Sequence, residues 1–249
     1  MSTFWLSLLL GLGAGLADYL GGVLLVRRSP SAKALRYFVA LGSGFMLSAV
    51  VLEMLPEGMK ANPAWAPGLM LVGYCGVHLL EHTLVPHFHF GDPSLHFDGG
   101  PHHHEFISAK TSYSVLLGLA THTFFDGIAI GSGFALSHWL GWVLFFAIFL
   151  HKIPEGFTVA SVMLAGGRSK TAALNSALFL GATTVAGVLV ISLQPSLVKA
   201  GLPLSAGVTF YVAATDLVPE VNREPGIRMA LVFFLGVMIF VLLRQFAPA

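Results

Sequence analysis

The chain has 249 residues, of which 55% are hydrophobic and only 10% charged, and its mean hydropathy is +0.80. A water-soluble domain carries about 25% charged residues, so this chain has too few polar groups to face water on all sides, and its solvent must be largely lipid. The net charge of +1 gives no basis for binding nucleic acid, and the single cysteine, Cys75, excludes an internal disulfide and a cysteine-rich metal site.

A spanning helix needs about 20 mostly apolar residues. Runs of this kind predict eight spans, at 4–26, 35–58, 66–85, 111–136, 139–165, 171–193, 203–221 and 226–246. The first lacks a basic leading segment and a clear cleavage site, so it reads as a retained helix. The second carries Glu53 and Glu57 near its end. After the third comes a polar, histidine-bearing loop at about 86–110. The fourth and fifth each hold a histidine followed by an acid, and the seventh carries Asp216 and Glu220. The other links are short, which favours one compact bundle. The expected fold is an all-α membrane protein. It is one transmembrane domain over 1–249, with helices 1–3 and 6–8 arranged as inverted repeats around a central pair, helices 4 and 5.

Basic residues collect on the cytoplasmic side of membrane proteins. Arg27, Arg28, Lys33, Arg36, Lys110, Arg168, Lys170, Arg223 and Arg228 all fall on one side of the eight-span path, against Lys60, Lys199 and Arg244 on the other. This bias puts both termini outside the cytoplasm and the histidine loop within it. The remaining basic residue, Lys152, lies near the middle of the fifth span.

The second and seventh spans align without a gap. GFMLSAVVLEMLPE begins at Gly44 and GVTFYVAATDLVPE at Gly207, with Glu53/Glu57 matched to Asp216/Glu220. In an eight-span topology these helices run in opposite directions, so the repeat is inverted. The fourth and fifth spans share His-x-x-x-acid-Gly and also run oppositely. Inverted repeats with a site near the midplane are a transporter architecture.

His122 and Asp126 stand one helical turn apart on one face, as do His151 and Glu155. Ionisable groups inside a span cost roughly 2.5–3.5 kcal/mol each on insertion scales, and a divalent cation offsets that cost for all four together. Two imidazoles and two carboxylates suit zinc, and also admit iron, manganese, cobalt or cadmium. Pro154 removes a backbone donor, and Gly127 and Gly156 remove bulk beside the acids, which suggests room for an ion and water.

HTFFDG and HKIPEG, together with the LPE of the second span and YVAATDLVPE of the seventh, resemble the signatures of the ZIP (Zrt/Irt-like) family of divalent metal transporters. The eight spans, external termini and histidine loop are similar to that family as well. The resemblance implies transport of zinc or a related ion toward the cytoplasm through a site between helices 4 and 5. Two positions depart from the pattern. Thr123 stands where many members have Asn, and Lys152 stands where many have a further metal-binding residue that helps to hold a second ion. A protonated lysine ligates no metal, so one principal ion is expected, held by His122, Asp126, His151 and Glu155.

Glu53, Glu57, Asp216 and Glu220 are candidate pathway residues, since carboxylates attract cations ahead of tighter sites. His87, His89, His96, His102, His103 and His104 are candidate loop ligands for weak metal buffering. The partners implied are a divalent ion as cargo and the lipid bilayer of a cell membrane (plasma or inner); a homodimer is left open. The chief alternatives are an intramembrane metal-dependent hydrolase and a metal sensor that transports nothing. The sequence has no HExxH motif, and a hydrolase does not require the inverted repeat.

Overall fold

The computed structural model describes residues 2–28, 32–83, 109–222 and 227–246, and all regular structure among them is helical. Eight rods follow one another. α1 is Thr3–Arg28. α2 runs as Ala32–Ala49, a π-helical stretch Val50–Met54 and Leu55–Ala61. α3 is Ala66–Thr83, α4 Ala109–Leu136, α5 His138–Ala165 and α6 Lys170–Leu193. α7 follows the 3-10 turn Pro195–Leu197 and runs as Val198–Tyr211, a π-helical stretch Val212–Leu217 and Val218–Asn222. α8 is Ile227–Arg244. The histidine loop lies outside the described residues.

Seven helices among the described residues are long and apolar enough to cross a membrane. α3, the predicted third span, is an 18-residue helix that falls outside that set; His78, Glu81 and His82 make its last turns polar. Exposed Leu9, Leu12, Leu16 and Leu20 on α1, and Leu231, Phe234, Leu235, Met238 and Leu242 on α8, form apolar outer surfaces. Such surfaces are stable against lipid and not against water. The chain is an integral, multi-pass membrane protein.

The packing repeats as the sequence does. α1 packs on α5 and α6 packs on α4, while α1 and α6 cross each other. α2 pairs with α8 as α7 pairs with α3. α2 also leans on α5, and α7 on α4. Exchanging α1 for α6, α2 for α7, α3 for α8 and α4 for α5 leaves every one of these relations intact.

Small residues set the crossings. At the α1–α6 crossing, Gly15 and Gly181 lie so close that a Cβ on either would strike the backbone of the other. A Cβ on Gly127 would strike the Thr184 carbonyl of α6, and one on Gly156 the Asp18 carbonyl of α1. These last two glycines therefore do not leave room for an ion, as the sequence suggested. They face away from the acids and let α4 and α5 seat against α6 and α1.

The two π-helical stretches also correspond. Leu55 N–H donates to Val50 O, and Val218 N–H to Ala213 O. Each stretch precedes a proline, Pro56 or Pro219. Proline has no N–H and crowds the carbonyl four residues back, and a wider turn relieves both. Glu53 and Asp216 sit inside these wide turns.

The links meet as an alternating topology requires. At one end Asn62 Nδ2 donates to Lys199 O at 3.2 Å. At the other, Arg168 lies over the Tyr113 ring, 4.9 Å from its centroid.

Gly127→Ala and Gly156→Ala should each destabilise the fold by about 1–3 kcal/mol, the range for overpacking. Gly68→Ala and Gly76→Ala, whose added methyl meets nothing within 4 Å, should not. Melting temperatures of the four purified variants in detergent check this.

Candidate metal centre

Four helix positions on α4 and α5 converge. The ligand atoms of His122, Asp126, His151 and Glu155 all lie within 4.8 Å of one another, and all four residues are buried. Theirs is the one such group of three or more His, Cys, Asp or Glu side chains among the described residues. It forms because each histidine and its acid share a helix face, and α4 and α5 pack with those faces opposed. The imidazole centroids are 5.5 Å apart.

The hydrogen bonding leaves ligand atoms facing inward. His151 Nδ1 is 3.1 Å from Ala147 O. A carbonyl only accepts, so Nδ1 carries the proton, and in the neutral ring Nε2 is left with its lone pair. That atom lies 3.3 Å from Asp126 Oδ2. Fixing a histidine through its outer nitrogen is how proteins aim the inner one at a metal. His122 Nε2 is 3.2 Å from Asp126 Oδ2 but is not aligned to hydrogen-bond with it. Among the described residues, both nitrogens of His122 and Oδ1 of Asp126 have no hydrogen-bond partner although buried. Unsatisfied polar atoms at such a place cost free energy unless a ligand takes them up.

The donor set fits a tetrahedral ion in kind. Metal–ligand distances of about 2.0–2.1 Å put tetrahedral donors about 3.3 Å apart; both histidines already stand at 3.2 and 3.3 Å from Asp126 Oδ2, and the widest-spaced atoms would close by up to about 1.5 Å around an ion.

Lys152 fills the space beside this group. Its side chain is fully buried, which excludes snorkelling to an interface. Nζ donates to Glu155 Oε2 at 2.6 Å and to Thr123 Oγ1 at 3.3 Å, and ion-pairs with Asp126 Oδ2 at 2.8 Å. Thr123 Oγ1 in turn donates to Glu155 Oε1. Both positions that depart from the family pattern, 123 and 152, therefore contact the acids directly.

One buried acid was missed in the sequence. Asp18 of α1 is fully buried, with Oδ2 at 3.6 Å from Lys152 Nζ. An acid within an apolar run, here GLADYLGG, is itself a signal. It has no acidic counterpart in α6, so the repeat did not draw attention to it.

The other candidates lie apart from the four-residue group. Glu53 is buried, and its Oε1 accepts from Arg244 Nε of α8 at 3.0 Å. Glu57 pairs with Lys60 at 2.7 Å. Asp216 is partly buried beside Thr215, and Tyr211 on the same helix donates to Glu81 of α3 at 2.9 Å. The side chain of Glu220 lies outside the described residues, as do His87, His89, His96, His102, His103 and His104.

The sequence is similar to those of known proteins. The zinc transporter ZIP4 of Homo sapiens is 31% identical over 126 residues, 49% of this chain and 20% of its own length. The zinc transporter zipt-7.1 of Caenorhabditis briggsae is 28% identical over 160 residues, 59% of this chain and 41% of its own. The zinc transporter ZIP13 of Pongo abelii is 24% identical over 237 residues, 89% of this chain and 70% of its own. This chain thus spans less than half the length of the first two. A model of the ZIP zinc transporter family matches residues 98–244, more than half of the chain, including α4, α5 and the four convergent residues. The chain belongs to the ZIP family, a family of transporters and not of enzymes.

Proposed function

We propose that this chain moves a divalent metal ion, zinc foremost, across a cell membrane into the cytoplasm, through a site formed by His122, Asp126, His151 and Glu155. The observation that carries the reading is the convergence of those four ligand atoms within 4.8 Å in a buried place between two spanning helices. Family membership and the zinc transporters among its relatives support the choice of cargo. Iron, manganese, cobalt and cadmium suit the same donors, so zinc is preferred without being exclusive.

The site takes one principal ion. Lys152 stands where a second ion would need ligands, and its ammonium holds Asp126 and Glu155 together while no metal does. A second ion would bring surplus positive charge into a low-dielectric space.

Glu53, Glu57, Asp216 and Glu220 line the approaches, the first two toward the outside and the last two toward the cytoplasm. The loop histidines buffer ions after passage. The chain acts as a single transporter domain with both termini outside the cytoplasm, and pairing with a second copy is compatible with this role.

Reconstituted into proteoliposomes, the protein should take up zinc, and His122→Ala and Glu155→Ala should each abolish uptake while inserting normally. Full activity in both would remove the site from consideration. Deleting 87–104 should leave uptake within about threefold of the full chain, because buffering ligands outside the spans are not part of the barrier-crossing step. In that deleted form, elemental analysis should find one tightly held metal per chain, and none in its His122→Ala variant. Two tightly held ions would overturn the one-ion reading.

A further inference from the structure

The two halves of the protein differ in charge at matched positions beside the four-residue group. His151, Glu155 and Gly156 of α5 answer to His122, Asp126 and Gly127 of α4, so Lys152 answers to Thr123. On the helices behind them, Gly15 meets Gly181. Gly21 packs on α5 as Gly187 packs on α4. Asp18 lies midway between Gly15 and Gly21, and Thr184 midway between Gly181 and Gly187. Gly156 backs onto the Asp18 carbonyl and Gly127 onto that of Thr184. Asp18 therefore answers to Thr184. Where one half has two threonines, the other has an acid and a lysine, 3.6 Å apart.

Among the described residues Asp18 has no other partner to explain it. It is fully buried, and neither carboxylate oxygen has a hydrogen-bond partner. An ammonium has three protons to give, and three oxygens lie nearer to Lys152 Nζ than Asp18 does: Glu155 Oε2, Thr123 Oγ1 and Asp126 Oδ2. Two of those oxygens belong to the proposed metal ligands. An ion that takes Asp126 and Glu155 displaces the ammonium from both, and a displaced buried charge with no counter-charge would be strongly unfavourable.

We propose that Asp18 is a positioning residue that receives the Lys152 ammonium when metal occupies the site, so that lysine and metal exchange places on Asp126 and Glu155. This rests on the metal site proposed above. The exchange needs only a small movement, since Nζ lies 2.8 Å from Asp126 Oδ2 and already 3.6 Å from Asp18 Oδ2. Without Asp18, Lys152 has nowhere to go and competes with the ion for its ligands.

The test is zinc uptake by the full chain in proteoliposomes, comparing wild type, Asp18→Asn, Lys152→Met, the double variant and His122→Ala. Asp18→Asn should raise the KM for zinc by about tenfold or more, a free-energy change of about 1.4 kcal/mol, with the maximal rate changed far less. In the Lys152→Met background the same change should move KM by less than about threefold, because the competitor is gone. An unchanged KM in Asp18→Asn, or an equal rise in both backgrounds, overturns the proposal. If Asp18→Asn alone fails to accumulate in the membrane, the double variant should accumulate; absence of both makes Asp18 a purely structural residue and also overturns it. His122→Ala separates the two levels. Loss of uptake there with no Asp18 effect refutes only the exchange, whereas full uptake there refutes the metal site itself.

Discussion

Charge inside a hydrocarbon layer has to be matched by opposite charge within a few ångströms, because no water is there to screen it. In this protein Asp18, Asp126 and Glu155 come from three different helices and share one ammonium, that of Lys152. α1, α4 and α5 are tied to one another at that point, and none of the three can shift far without separating a buried pair. Thr123 adds a neutral link between Glu155 and Lys152. The inward-facing nitrogens of His122 and His151 complete a pocket that is crowded with acceptors and short of donors. A cation is the species such a pocket lacks.

The rest of the bundle keeps that cluster buried and in register. Glycines behind the acids bring α4 onto α6 and α5 onto α1 at backbone distance, so the outer helices seal the centre without side chains between them. α2 with α8, and α7 with α3, pack beside this core, and α2 and α7 meet each other there. Within these flanking pairs the two halves again differ in charge. Arg244 of α8 bonds Glu53, while the equivalent place on α3 holds Glu81, which accepts from Tyr211. Matched places on the two flanks thus carry side chains of opposite charge.

Much of this was legible in the sequence, for identifiable reasons. Long apolar runs have only one stable form in lipid, so the helices and their order followed directly. The four-residue group could be read because the i, i+4 spacing fixes a helix face whatever the tertiary context. Two features were not legible. The glycines beside the acids looked like space for an ion, since a sequence does not say on which side of a helix the neighbouring backbone lies. Asp18 stood alone in its helix, and its meaning depends on an approach of α1 to α5 that only packing reveals. Likewise Arg244 counted as one external charge in the topology, with nothing to tie it to Glu53, which precedes it by six helices.

The wide turns in α2 and α7 carry a consequence for how the repeat is built. A π turn amounts to one additional residue slipped into a regular helix, and it rotates everything beyond it by about 100° relative to an uninterrupted rod. Both halves have the slip at the same place, ahead of the same proline. The acidic ends of α2 and α7 are therefore aimed by a phase shift and not by the straight-helix face that precedes them. A helical wheel drawn through α2 from end to end would put Glu57 on the wrong meridian, and removing one residue from either turn would swing that end of the helix around its axis while leaving its composition almost untouched.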